Sequence, residues 1–320
     1  MHYYKLYGLI TASQIMLQDA ELSELPDPVG DADVTIALGL VRQDFLEDNK
    51  LVKLSAAWSF LIADPGRFYM RCNGYDFDIS GGRSIVIDPH GLPAESSILV
   101  TYILGSAFGA IGMQRGLVPF HGAAVCIGGS AAIIAGFSGS GKSAILSALV
   151  MDGYKYLADD VSMVVLKDGT PFALPSYPQR KITEDDATEA GECLTDASYR
   201  KEEGRVKYAI RRPSEWLDEK LPVSCIVEIY PELRENYPQF RPEINRINGH
   251  ASLNLLIRCV YRPRFASGVG AAPERLTQLL KIASRVKVYR LVRPREGYPI
   301  RETARVIIDH CFNENRRQEF

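Results

Sequence analysis

The stretch Ala131-Ala-Ile-Ile-Ala-Gly-Phe-Ser-Gly-Ser-Gly-Lys-Ser-Ala-Ile-Leu-Ser-Ala-Leu149 limits what this chain can fold into more than any other. Ala132, Ile133 and Ile134 make an apolar β-type run, and Ala144, Ile145, Leu146, Ala148 and Leu149 follow a helical pattern. Between them lie small residues apart from Phe137 and Lys142, so a strand passes through a glycine-rich loop directly into a helix. Gly136, Gly141, Lys142 and Ser143 complete G-x-x-x-x-G-K-[ST]. In that pattern the backbone N–H groups of Gly136, Phe137, Ser138, Gly139, Ser140, Gly141, Lys142, Ser143 and Ala144 cradle phosphates at a helix N-terminus. Lys142 then reaches the outer phosphates and Ser143 binds Mg²⁺.

A rival reading uses the same residues. Gly139-x-Gly141-x-x-Ala144 also satisfies a dinucleotide fingerprint, and Asp159 or Asp160 sits about 20 residues on, where a ribose-binding acid belongs. Gly136 and the Lys142-Ser143 pair favour the triphosphate. A pyrophosphate on NAD does not need them, whereas a metal-bound triphosphate does.

At 320 residues the chain is long enough for two ordinary domains. A net charge of −2 gives no pull toward nucleic acid or membrane, so neither is expected as a partner. The halves differ: residues 1–160 carry 10 Lys+Arg against 17 Asp+Glu, and residues 161–320 carry 27 against 22. The basic half would suit phosphate or an acidic peptide, or is simply solvated surface. Cys72, Cys126, Cys193, Cys225, Cys259 and Cys311 form no C-x-x-C and no zinc-type cluster, which suits a reducing cytoplasm. Met1–Ala20 lacks a basic stretch followed by an apolar core, so no signal peptide is expected. Ser96–Met113 is uncharged and long enough to raise the question of a membrane span, but its glycines and hydroxyls favour a buried helix.

Taken in order, residues 1–114 read as a β-rich lobe, with strands at Tyr3–Ile10, Val34–Val41, Ala57–Ile62, Arg67–Cys72, Asp76–Ile79 and Ser84–Ile87 and a helix at Glu95–Gln114. A boundary at Arg115-Gly116 opens a second domain, 115–320, of α/β class. Its expected strands are Ala123–Ile127, Ala131–Ile134, Tyr154–Ala158, Ser162–Leu166, Val223–Tyr230, Phe240–Ile247 and Val288–Val292, with Pro171–Ile182 extended. Helices are expected at Glu184–Cys193, Ser214–Lys220, Ala251–Val260, Pro273–Val286 and Ile300–Phe312, and Lys201–Lys207 reads as a charged, mobile segment.

A phosphate loop alone does not separate an ATPase, a switch and a kinase; the acids near it do. Asp159 and Asp160 are adjacent at a strand end and so point in different directions, which allows one to face a metal and the other an acceptor hydroxyl. The plainer alternative is one metal-binding acid with a solvated neighbour. His121 reads equally well as a structural histidine or as the hydrogen-bond partner of a catalytic Asp. Arg262 and Arg264 are either phosphate clamps or surface arginines.

His121-Gly122, Gly136-Phe-Ser-Gly-Ser-Gly-Lys-Ser143 and Ala158-Asp-Asp160 together resemble, in order and spacing, the catalytic core of the HPr kinase/phosphorylase family. The resemblance implies a P-loop kinase core like the HPr kinase C-terminal domain, with a β-rich N-terminal lobe attached. It also implies Asp159 as general base, Asp160 and Ser143 at the metal, His121 supporting Asp159, and Lys142 on the transferring phosphate. The glutamate- and glycine-rich signature that follows the core in the bifunctional enzymes is missing. Leu174-Pro-Ser-Tyr-Pro-Gln-Arg-Lys181, Tyr261-Arg-Pro-Arg264 and Arg115-Gly-Leu-Val-Pro-Phe-His121 look instead like the HPr-kinase-related kinases of lasso-peptide biosynthetic clusters. By that resemblance the chain would be a cytoplasmic, ATP- and Mg²⁺-dependent serine kinase acting on a peptide or small protein. Its acceptor would then be the C-terminal serine of a lasso-peptide precursor. A small-molecule hydroxyl kinase, a nucleotide-gated binding module without phosphotransfer, and a homo-oligomeric state all stay open at this stage.

Overall fold

The computed structural model describes residues 1–26, 30–41, 52–55, 58–195, 197–202, 205–232, 241–266, 268, 272–294 and 299–312. It is a mixed α/β structure with several sheets, in two compact units. One unit is Met1–Pro119 with Tyr261–Thr277, and the other is Phe120–Val260 with Gln278–Phe320. The division falls after Pro119, where the sequence suggested Arg115-Gly116, and Tyr261–Thr277 returns to the first unit. Reading in chain order has no means of seeing such a return.

The first unit is built on one eight-stranded sheet. Its strands are His2–Leu6 (β1), Leu9–Ser13 (β2), Val34–Leu38 (β3), Val52–Ser55 (β4), Trp58–Asp64 (β5), Arg67–Cys72 (β6), Tyr75–Ser80 (β7) and Ser84–Asp88 (β8). Their order is β1-β2-β3-β8-β7-β6-β5-β4, parallel at β2–β3 and β3–β8 and antiparallel elsewhere. The single strand expected at Tyr3–Ile10 is a hairpin, because Tyr7 and Gly8 take positive φ and turn the chain. β4 has no apolar run long enough to announce it, and Ala57 of the expected Ala57–Ile62 strand lies outside the described residues. Trp58, Phe60 and Phe68 close around Phe265, with ring centroids 5.5, 5.0 and 4.4 Å away.

Ser97–Gln114 (α1) is the one described helix long and apolar enough to cross a membrane, and 72% of it is buried inside the protein. Ile103–Ala107 within it winds as a π-helix, and Gly105 and Gly109 lie against the Tyr261 ring. Its small residues therefore serve packing, in line with the buried helix that its glycines and hydroxyls suggest.

The second unit carries Val118–Ile127 (β9) from Phe120 onward, Ser130–Ala135 (β10), Lys142–Met151 (α2), Tyr156–Ala158 (β11), Val161–Lys167 (β12), Thr170–Ala173 (β13), Arg180–Ile182 (β14) and Glu184–Ala190 (α3). Then come Ser198–Glu202 (β15), Arg205–Ile210 (β16), Leu221–Pro231 (β17), Glu243–Ile247 (β18) and Gly249–Cys259 (α4). After the short helix Pro263–Ala266 (α5) in the first unit, Ala272–Arg285 (α6), Lys287–Arg293 (β19) and Ile300–Cys311 (α7) complete the chain. β10, β17 and β19 run parallel, with β9 antiparallel beside β10 and β18 antiparallel beside β19. β12 and β13 link β9 to the start of β17, so the pairings close on themselves.

Parallel strands covered on both faces need continuous apolar sequence, which is why Ala131–Ala135 and Cys225–Val227 read as unbroken runs. Ala144 to Val150 of α2 are all buried, and the helix packs into one core with Ile134, Val227, Leu291, Ile300, Ala304 and Ile307. The C-terminal ends of the parallel strands, at Ala135, Pro231 and Arg293, open on the same edge of the sheet. In open α/β sheets that edge is where ligands bind.

Two expectations are corrected here. Ser214–Lys220 is not a helix: only Pro213–Glu215 makes a 3₁₀ turn, after which Leu217 N–H donates to Tyr156 O and Trp216 Nε1 donates to Leu157 O. Bonding to β11 holds that backbone extended. The charged segment Lys201–Lys207 is not a loose excursion, since β15 and β16 form a hairpin within a three-stranded sheet, β14-β16-β15. Residues 203–204 of that segment, and Phe240 of the expected Phe240–Ile247 strand, lie outside the described residues.

Candidate functional site

The loop leaving β10 owes its shape to glycine. Gly136, Gly139 and Gly141 have φ of 148°, 84° and 96°, and alternating conformations of this kind turn successive N–H groups toward one concavity. A Cβ on Gly136 would meet Ser140 Oγ at 2.7 Å and Ile229 O at 2.8 Å, and one on Gly141 would strike the Arg293 guanidinium. The cradle therefore excludes side chains on its inner side while Phe137, Ser138 and Gly139 face solvent. Ile145 N–H donates to Gly141 O at 3.0 Å, so α2 begins at the end of the loop with Lys142, Ser143 and Ala144 in its first turn.

Lys142 folds back over this loop. Its ammonium donates to Gly136 O and Phe137 O, each at 2.9 Å, and lies 3.2 Å from His121 Nε2. Burial lowers its pKa to about 8, against the opposing pull of Asp160 and Asp159. A desolvated cation held by two carbonyls and an imidazole is suited to an incoming anion.

His121 comes from β9, and its Nδ1 is 3.2 Å from Asp160 O and 3.4 Å from Asp160 Oδ1. The resemblance implied that it supports Asp159; the acid it sits beside is Asp160. Gly122 N–H also donates to Asp160 O, at 3.0 Å. The glycine is needed because a Cβ there would run into the Ile134 carbonyl of β10. Gly122→Ala should therefore lower the stability of this unit by about 1–3 kcal/mol, the usual range for overpacking, as read by thermal or urea unfolding. A variant as stable as the parent would show that β9 can shift freely.

Asp159 and Asp160 diverge at the end of β11, as adjacent strand-end residues should. Asp159 is buried, its Oδ1 accepting Asp160 N–H at 2.9 Å and its Oδ2 accepting Lys181 N–H at 2.7 Å. Burial raises its pKa above the usual carboxylate range, and the Lys181 N–H offsets part of that rise. Asp160 is 52% exposed and takes a left-handed conformation, φ 68°. Desolvation by the groups around it works to raise its pKa, but His121, Lys207, Lys181 and Lys142 together hold it below the usual range. One acid is thus enclosed and oriented, while the other is open, ionised and faced by cations.

Behind Asp159 lies a buried ion network. Arg180, 2% exposed, makes a two-pronged contact with Glu192 at 2.5 and 2.6 Å, reaches Glu215 Oε2 at 2.7 Å and donates to Ser147 Oγ of α2 at 2.8 Å. Arg212 adds bonds to Glu192 at 3.1 Å and Glu215 at 3.3 Å. The network fixes β14 against α2, and so sets the Lys181 N–H on Asp159.

Of the residues expected from sequence, Gly136–Ala144, His121, Asp159 and Asp160 converge. Arg262 and Arg264 lie in the first unit, where the Arg262 guanidinium sits 4.5 Å above the Trp58 ring. Sequence reasoning missed Arg293, Lys181, Lys207 and Arg180. Only Arg180 and Lys181 carried a signal, standing in the proline-rich run that had to be extended. Among the described residues no group of three or more His, Cys, Asp or Glu side chains is placed to hold a metal. A magnesium ion here would have to be shared among Ser143, Asp160, phosphate oxygens and water, which is how that ion is commonly held. The glycine cradle and the desolvated Lys142 fit such a phosphate.

No protein-family model matches the chain, and no curated protein matches it. Among solved structures it is similar to the Hpr(Ser) kinase/phosphatase from Coxiella burnetii, with 14% sequence identity and a TM-score of 0.32, over 63% of this chain and 99% of that one. So distant a likeness leaves the activity to be argued from this chain's own residues.

Proposed function

We propose that the chain is a P-loop kinase that moves the terminal phosphoryl group of ATP to a serine hydroxyl of a peptide or small protein. The observation that supports this most is the convergence of Lys142, His121 and the Asp159-Asp160 pair beside the glycine loop. In the step, the hydroxyl oxygen bonds to the terminal phosphorus, the bond from that phosphorus to the bridging oxygen breaks, and ADP leaves. The hydroxyl proton passes to Asp159, whose carboxylate Lys181 N–H and Asp160 N–H hold in one orientation. Lys142, released from the loop carbonyls, neutralises charge on the moving group, while loop N–H groups bind the inner phosphates. Mg²⁺ held through Ser143 and Asp160 would neutralise and orient the phosphates. His121, next to Asp160, keeps that acid in place. The finer reading is that the acceptor is the C-terminal serine of a lasso-peptide precursor; it rests on the resemblance of residues 174–181 and 261–264 to the kinases of such clusters.

The test is incubation of the full chain with labelled ATP, Mg²⁺ and serine peptides, followed by mass spectrometry. Asp159→Asn should abolish phosphoserine while binding of a fluorescent ATP analogue persists. Undiminished transfer in that variant would remove Asp159 as proton acceptor. Label appearing only on small hydroxyl compounds would replace the peptide acceptor with a metabolite. No transfer to any acceptor would remove the kinase reading.

A further inference from the structure

Within residues 136–141 Phe137 is the only large apolar side chain, and it is 45% exposed. Tyr230, at the end of β17, is 36% exposed, and the two rings meet edge to face with centroids 6.4 Å apart. The pair is held from beneath. The Arg290 guanidinium lies 5.2 Å from the Tyr230 ring centroid while its Nε donates to the buried Glu228 carboxylate at 2.7 Å. Gly136 rests close against Ile229 O, which places Phe137 beside Tyr230. Two half-exposed aromatic rings thus meet edge to face beside the loop.

Their position along the loop says which ligand they face. Lys142, whose ammonium serves the outer phosphates, donates to Phe137 O, so Phe137 marks the terminal-phosphate end. The inner phosphates, and the nucleoside beyond them, belong toward Ser143 and the α2 N-terminus. What approaches Phe137 is the acceptor. The Phe137 ring offers no hydrogen bond, so it matches an apolar or aromatic group better than a polyhydroxylated one.

We propose that Phe137 and Tyr230 form an aromatic platform that takes an apolar or aromatic side chain of the acceptor peptide beside the reacting serine. The inference rests on the kinase reading and adds the acceptor's local chemistry to it.

Two degenerate octapeptide libraries with one serine each, central in one and C-terminal in the other, test it when they are incubated with the full chain, ATP and Mg²⁺ and the phosphopeptides are sequenced. Leu, Ile, Phe, Tyr or Trp next to the serine should be enriched about tenfold over Gly or Asp, the discrimination a single apolar contact supplies. Tyr230→Ala and Phe137→Ala should flatten that preference to under twofold, and Phe137→Leu should keep most of it. For Tyr230→Ala the loss should appear in KM for peptide, with affinity for a fluorescent ATP analogue unaltered. Transfer without neighbour preference overturns the platform and leaves the kinase standing. Loss of nucleotide affinity rather than peptide preference in Tyr230→Ala overturns it too, by assigning the rings to the base. Absence of transfer to every acceptor, with nucleotide still bound, removes both readings.

Discussion

Lys142→Met is expected to reduce phosphoryl transfer about 10³-fold at saturating ATP, the order of effect seen when one preorganised charge-stabilising group is lost. The environment accounts for the size of the effect. The ammonium lies among Gly136 O, Phe137 O and His121, where desolvation has already lowered its pKa to about 8. A charge held in so poorly solvated a place acts on a developing phosphoryl charge with little screening. Lys142→Arg should not rescue the activity. The guanidinium is a planar fork that cannot occupy a point between two carbonyls and an imidazole. Single-turnover measurements with labelled ATP give the transfer rate, and binding of a fluorescent analogue shows whether nucleotide is still held. A loss of less than tenfold would mean that Lys142 does not touch the transferring group.

The largest stability effect is expected at Arg180. Arg180→Leu leaves Glu192, whose side chain is fully buried, with Arg212 as its remaining cation, and also strips Ser147 and Glu215 of a donor. Breaking a buried pair from one side destabilises by about 3–5 kcal/mol. For a unit of roughly 150–250 residues that is a fall in Tm of about 6–20 °C. The double variant Arg180→Leu with Glu192→Leu should be less destabilised than the sum of its single changes, because the second removes the stranded charge. Calorimetry on the four proteins closes the cycle. Additive losses would show that the Arg180–Glu192 bonds contribute little, and that the arginine stem merely fills space.

Much of the loop was legible because its chemistry is local. Gly136 to Ser143 are contiguous, and their spacing fixes strand, turn and helix together. The pairing of Gly122 with Asp160, and Arg293 beside Gly141, join residues far apart in the chain, and no periodicity announces them. Strands β15 and β16 were hidden by their charge. Ser198–Glu202 and Arg205–Ile210 carry too many charged and polar residues to show an apolar alternation, so the segment reads as a surface loop. The return of Tyr261–Thr277 to the first unit was invisible for a further reason, since its anchor, Phe265, only acquires meaning among Trp58, Phe60 and Phe68. The glycines of α1 were legible in kind, as close-packing residues, but not their partner.

The left-handed backbone at Asp160 restricts which residues this position can hold in any descendant of the chain. Gly takes that conformation freely and Asn and Asp more readily than most residues, whereas Ala there adds about 1–2 kcal/mol of strain to the loss of charge. An alanine scan would therefore report a folding defect mixed with a chemical one, whereas Asp160→Asn keeps the turn and isolates the carboxylate. Over evolutionary time the same restriction would leave a trace. A copy that had given up phosphoryl transfer would drift at Lys142 and Asp159 yet keep asparagine or glycine at position 160, so that residue records the ancestry of the turn and its neighbours record the activity.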